Sequence, residues 1–151
     1  MEKLIIQSDK KNLFEVEKFV GAVCDTFNIN NYAGTITMSV LQAAENAIVH
    51  GNGCNLDKMV TIVSDYCRGG VRFTVTDEGE GFNYALYGEM PEKEGEGTGL
   101  YLMKTLSDRI VFSDGGRTVS LEFFIDGIDG CRTLERIATL HRFYAPKTVH
   151  A

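Results

Sequence analysis

Residues 41–53, LQAAENAIVHGNG, decide how the rest of this chain is read. An amide and an acid, Gln42 and Glu45, stand just ahead of Asn46 in a segment that otherwise reads as a buried helix. On a helical wheel at about 100° per residue, Ile36, Val40, Ala44, Ala47 and Ile48 share one broad side. Ser39, Gln42, Glu45 and Asn46 form a narrow stripe opposite. Gln42 and Asn46 stack one turn apart. The pattern predicts a helix over 32–50, stopped by Gly51-Asn-Gly-Cys-Asn. Two readings of the stripe stay open: the solvated back of an amphipathic helix, or a polar row facing a ligand.

Upstream, residues 4–7 read as a short edge strand. Leu13, Val16, Val20, Val23 and Phe27, spaced by three and four, predict an amphipathic helix over 12–27. Downstream, two β-rich runs at 59–65 and 71–76 flank Cys67-Arg-Gly-Gly and predict an antiparallel hairpin. Over 77–99 the periodicity dissolves among six glycines, several glutamates and Pro91, the mark of a long functional loop. A helix at 100–107 follows, then a second hairpin from 109–112 and 118–125 across Asp114-Gly-Gly. Leu134, Ile137, Ala138 and Leu140 predict a last helix with Arg132, Arg136 and Arg142 interspersed, which packs on its own sheet or forms a dimer or partner surface. The order β, α, α, then two hairpins with a lid and a helix between them predicts an α+β two-layer sandwich. Its sheet is mixed but mostly antiparallel, with the helices on one face.

The 151 residues fit one domain, with the core over 1–126 and a helical extension of the same domain over 127–151. A formal charge of −6 without a lysine or arginine run argues against nucleic acid or anionic lipid and favours a basic partner surface. The N-terminus holds only three consecutive apolar residues, and nothing approaches the roughly 20 needed to span a bilayer, so a cytoplasmic protein is expected. Cys24, Cys54, Cys67 and Cys131 show no C-x-x-C pair and read as reduced structural thiols.

Two further stretches carry possible chemistry. In Val75-Thr-Asp-Glu-Gly-Glu-Gly-Phe82 an apolar strand ends in Asp77, with Gly79 and Gly81 at alternate positions. The pattern is either a tight turn or a carboxylate presented where glycines let the backbone close around a ligand. Such a carboxylate can accept a hydrogen bond from an exocyclic amine such as that of adenine. In Gly95-Glu-Gly-Thr-Gly-Leu-Tyr-Leu-Met-Lys104 a glycine turn feeds a helix, whose unpaired N–H groups and positive dipole end suit a phosphate. No G-K-[ST] follows, so this is not a Walker loop. A glycine turn without a ligand remains the alternative.

Taken in order, these residues resemble the GHKL, or Bergerat-fold, ATP-binding superfamily of gyrase-type topoisomerases, heat-shock chaperones, sensor histidine kinases and mismatch-repair proteins. Asn46-Ala-Ile-Val-His50-Gly51 looks like its N box, Asp77-Glu-Gly79-Glu-Gly81 its first glycine box and Gly95-Glu-Gly97-Thr-Gly99-Leu100 its second. The wording is most similar to anti-sigma factor serine kinases, over residues 4–125. The resemblance implies that Asn46 holds a Mg²⁺ ion bridging the phosphates of ATP, that Asp77 reads the adenine amine, and that Gly81 makes room for the base. It implies that Gly97, Thr98, Gly99 and Leu100 offer N–H groups to the phosphates, under a lid at 82–94. Thr118 falls where the family often has a threonine near adenine. His50 reads as a helix-end hydrogen-bonding residue beside the site rather than a metal ligand.

One departure bears on catalysis. The family's general base is a glutamate four residues before the asparagine, and here that place is Gln42, an amide that cannot take a proton at neutral pH. Glu45 is the substitute at hand, although it points about 100° away from Asn46 around the helix. The family's kinases also place an arginine at or just before the second glycine box, where this chain has Gly95 and Glu96. The expected function is an ATP-binding regulator that acts on a sigma factor or an anti-sigma factor antagonist, with ATP and ADP as ligands and a homodimer possible. The competing functions are an active serine kinase and an interaction domain that no longer binds nucleotide.

Overall fold

The computed structural model describes residues 1–81, 98–125, 139, 140 and 142. The expected lid at 82–94, Gly97 and most of the 127–151 extension lie outside them. Eight main elements follow in chain order: β1 (Glu2–Gln7), α1 (Leu13–Thr26), α2 (Ala33–Asn46), β2 (Met59–Cys67), β3 (Gly70–Thr76), α3 (Thr98–Leu106), β4 (Arg109–Ser113) and β5 (Thr118–Phe124). The strands form one five-stranded sheet in the order β1-β2-β3-β5-β4. All four pairings among the described residues are antiparallel, so the mixed character expected of the sheet is not seen there. The architecture is the expected α+β sandwich.

Strand alternation explains why helices cover one face. Val60, Ile62 and Ser64 of β2, Val71, Phe73 and Val75 of β3, and Val119, Leu121 and Phe123 of β5 are buried in register. They meet Val16, Val20 and Val23 of α1 and Ile36, Val40 and Ala44 of α2 in one core. Phe73 lies at its centre, edge-on to Phe19 and to Phe123 with ring centroids 6.3 Å away in both pairs. The residues between them form polar ladders on the other face. Thr76 Oγ1 lies 3.2 Å from Thr118 Oγ1, Thr74 Oγ1 lies 3.2 Å from Ser120 Oγ, and Arg72 donates to Glu122 at 3.0 Å.

Three local features depart from the periodicity. First, α2 ends at Asn46, and residues Ala47–Gly51 form a π turn where the pattern predicts four more α positions, through His50. Second, Ser39 is fully buried and not part of a solvated stripe, because α2 packs between α1 and α3 and loses most of its solvent-facing side. Third, the first hairpin is tighter than expected. Cys67 pairs with Gly70, leaving Arg68 and Gly69 as the loop, with Gly69 at φ 86° where glycine is favoured.

Of the predicted C-terminal helix, Thr139, Leu140 and Arg142 are described and helical. Leu140 packs against Met38 of α2 and Leu102 and Leu106 of α3, a small cluster on the helical layer. Burial pushes the Cys24 thiol up to about 11, which makes it an inert core residue. Among the described residues no helix is long and apolar enough to cross a membrane.

For function, the decisive topological fact is the excursion 77–117. The chain leaves β3 at Thr76 and, after α3 and the edge strand β4, comes back beside β3 as β5. Thr76 therefore pairs with Thr118, and the Asp77 N–H donates to the Arg117 carbonyl at 2.9 Å. The two ends of the excursion, Asp77 and Arg117, are thus held together at one end of the sheet.

Candidate functional site

The three suspect stretches meet at that end. Gly99, in the first turn of α3, faces the polar side of α2. A methyl group added there would lie 2.8 Å from Gln42 Oε1 and 3.7 Å from both Asn46 Nδ2 and Oδ1. The opening turn of α3 is thus beside Asn46. Leu100 is buried in the core and anchors that turn. Glu45 is half-buried and is not among the groups nearest Gly99, so the turn faces Gln42 and Asn46 instead.

The carboxylate end is built around glycines. Asp77 is 9% exposed, and its Oδ1 accepts the Gly79 N–H at 2.8 Å in a tight Asx turn. A methyl group on Gly51 would overlap that carboxyl group, and one on Gly79 would overlap the Gly51 carbonyl. The end of the π turn and the first glycine box are therefore in van der Waals contact only because both residues lack a side chain. Gly81, at φ 82°, approaches the Gly115 carbonyl and the Arg117 side chain in the same way.

Arg117 closes the opposite side. Its Nε donates to the Gly79 carbonyl at 2.7 Å, and its terminal nitrogen reaches the Asp114 carbonyl at 3.2 Å. Thr118, next along the chain, is joined to Thr76 and so lies one residue from Asp77 in the ladder. His50 is exposed on the π turn. Thr98 begins α3, and Gly97 lies outside the described residues.

Burial raises the Asp77 carboxyl above its ordinary 3.8, with the Gly79 N–H and the positive charges of Arg117 and Lys58 pulling the other way without cancelling it. A carboxyl with a raised folded value contributes stability below the unfolded 3.8 and loses that contribution as pH rises through the folded value. The protein thus holds a carboxylate whose ionised form is less solvated than water would make it, and a ligand donor is the natural compensation. Following the Asp77 carboxyl carbon by NMR should give a titration midpoint above 3.8. A midpoint at or below the ordinary value would contradict this account of the pocket.

Sequence reasoning missed two residues that organise this end. Arg117 follows Asp114-Gly-Gly with no pattern of its own, and Asn52 reads only as part of the stop after α2. Asn52 is 3% exposed and fully hydrogen-bonded, which no local pattern signals.

An antiparallel sheet with helices on one face, whose strand end carries a buried carboxylate packed among glycines near the end of α2, defines a class. This chain belongs to the histidine kinase-like ATPase domain family, which matches it over residues 6–123. It is similar to the anti-sigma F factor of Clostridium perfringens (strain SM101 / Type A), with 35% identity over 86 residues, 52% of this chain and 61% of the relative. It is also similar to the anti-sigma F factor of Clostridium botulinum (strain Eklund 17B / Type B), with 29% identity over 82 residues, 50% of this chain and 57% of the relative. The matched stretch is less than two thirds of either relative's length.

Proposed function

We propose that this chain is an ATP-binding regulator of the anti-sigma serine-kinase type, in which nucleotide occupancy changes affinity for a protein partner and phosphoryl transfer is curtailed by Gln42. The observation that supports it best is the convergence of three sequence-distant segments. Gln42 and Asn46 lie against Gly99, while Gly51, Asp77 and Gly79 interlock a short way along the same turn. In this reading Asp77 accepts the adenine amine, while the missing side chain of Gly81 makes room for the Gly115 carbonyl rather than for the base. Thr118 lies on the adenine side. The N–H groups of Gly97, Thr98, Gly99 and Leu100 take the phosphates.

The residues present suit a magnesium ion as well. Asn46 offers an amide oxygen beside the α3 N-terminus, and oxygen donors are what a hard cation takes. Asn46 would be the residue that holds such an ion, and the chemistry the ion would supply is neutralisation of phosphate charge. The protein's own contribution is to hold Asn46 and the glycine turn within reach of one another.

The partner is inferred from the similarity to anti-sigma F factors. A sigma factor, or the antagonist that frees one, fits the acidic balance of −6 if it presents a basic surface. Coupling requires that nucleotide bind more tightly to one partner state than to the other. Saturating Mg-ATP should therefore shift the dissociation constant for a candidate sigma factor by about tenfold, within the usual range of coupling energies. Equal affinity with and without nucleotide, measured by calorimetry, rejects the regulatory reading.

A further inference from the structure

Asn52 follows the π turn and lies beneath Asp77. Its backbone N–H donates to the Ala47 carbonyl at 2.8 Å, closing the wide turn. Its side chain uses one oxygen and both amide hydrogens. Oδ1 accepts the Glu78 N–H at 2.8 Å, and Nδ2 donates to Ser8 Oγ at 2.9 Å and to the Met59 carbonyl at 3.0 Å. Ser8, itself fully buried, donates its hydroxyl to the Lys58 carbonyl at 2.6 Å. The Glu78 carboxylate accepts the Met59 N–H at 2.6 Å.

One carboxamide thus joins the end of the N box, the residue after β1, the start of β2 and the residue after Asp77. Its effect on Asp77 is direct. The peptide N–H following Asp77 is held by Asn52, and the Asp77 N–H itself is held by the Arg117 carbonyl at 2.9 Å. With the peptides on both sides pinned, the carboxyl group is left facing Gly51 and the Gly79 N–H. An amide suits this role because it supplies an acceptor on one side and two donors on the other. A buried group with all of its hydrogen-bonding capacity directed at backbone and hydroxyl atoms is costly to remove.

We propose that Asn52 is a positioning residue that holds Asp77 in the orientation in which it discriminates a purine amine from a purine carbonyl. The proposal rests on the reading of Asp77 as the group that meets the base. It goes beyond that reading by assigning base selectivity to a residue that touches no nucleotide.

The test compares ATP with ITP, whose base carries a carbonyl in place of the amine, by calorimetry on the intact chain with Mg²⁺. The wild type should prefer ATP by about tenfold or more, since the analogue sets an acceptor against a carboxylate. Asn52→Ala should weaken ATP while leaving ITP nearly unchanged, bringing the two within about threefold. A general loss of packing would weaken both nucleotides together, so an unchanged ratio in Asn52→Ala overturns the positioning role. A wild type indifferent to the two nucleotides overturns the Asp77 reading itself, and the proposal with it. If Asn52→Ala fails to fold, Ser8→Ala decides. It removes one support of the amide, and the ratio should fall by about two- to threefold. An ATP preference equal to the wild type's in folded Ser8→Ala rejects the proposal.

Discussion

Asp77→Asn is expected to weaken ATP binding by about 10²-fold, equivalent to roughly 3 kcal/mol. The substitution keeps shape and volume, so the loss is chemical. In the native site Oδ1 accepts the Gly79 N–H at 2.8 Å, and Oδ2 has no hydrogen bond among the described residues, so it is available to a ligand donor. An asparagine that keeps the Gly79 bond must turn its NH₂ toward the ligand, setting donor against donor. One that turns the other way abandons the Gly79 N–H inside a buried turn. Either choice forfeits a charge-assisted hydrogen bond and leaves an unpaired polar group. Folding should not suffer in parallel, because burial already disfavours the ionised carboxyl and a neutral amide is spared that penalty. Calorimetry with ATP and a thermal melt together separate the two effects. ATP affinity within threefold of the wild type would remove Asp77 from the nucleotide site.

Gln42→Glu is expected to raise phosphoryl transfer by at least about 10²-fold, the usual contribution of a positioned general base. Gln42 is the side chain whose oxygen would lie 2.8 Å from a methyl group on Gly99, with Asn46 the next group out. It is therefore already at the phosphate end of the proposed site, and only its chemistry is wrong for proton abstraction. Exchanging amide for acid alters neither length nor branching, so ATP affinity should hold. The rate should still fall short of a complete kinase, because Gly95 and Glu96 stand where the family's kinases carry an arginine. Labelled-phosphate transfer to a candidate antagonist measures it, with Glu45→Gln as the control. Should the wild type already transfer phosphate and Glu45→Gln abolish it, the base is Glu45 and the argument from Gln42 fails. No gain in Gln42→Glu despite intact ATP binding would also reject it.

These expectations draw on different levels of the molecule. The helices and hairpins were legible because their cores are periodic. Val16, Val20 and Val23 recur at helical spacing, and Val71, Phe73 and Val75 alternate, so each element declares which side it buries. The candidate site was legible as types and order: an amide row, a carboxylate at a strand end, a glycine turn before a helix. Local pattern cannot show a second layer over a helix, and Ser39 was misplaced for that reason. The wheel assigns it to the polar stripe, but α2 packs between α1 and α3 and Ser39 is fully buried. The same limit hid the π turn at Ala47–Gly51, whose wider winding lets Gly51 reach the Asp77 carboxyl group.

By itself the order of residues was enough to specify the one-faced sheet, the two flanking helices and the chemical inventory of the hollow, because periodicity and glycine placement act over a few neighbouring positions. Tertiary structure alone decided that Asn46 faces Gly99, that Gly51 and Gly79 interlock around Asp77, and that Asn52 and Arg117 grip the peptides beside it. Those contacts join segments tens of residues apart. β5 returning beside β3 brings Arg117 to Asp77, and α3 packing on α2 brings Gly99 to Asn46. The spacing of a sequence records which residues share a turn or a face; only the folded chain settles which turns share a pocket.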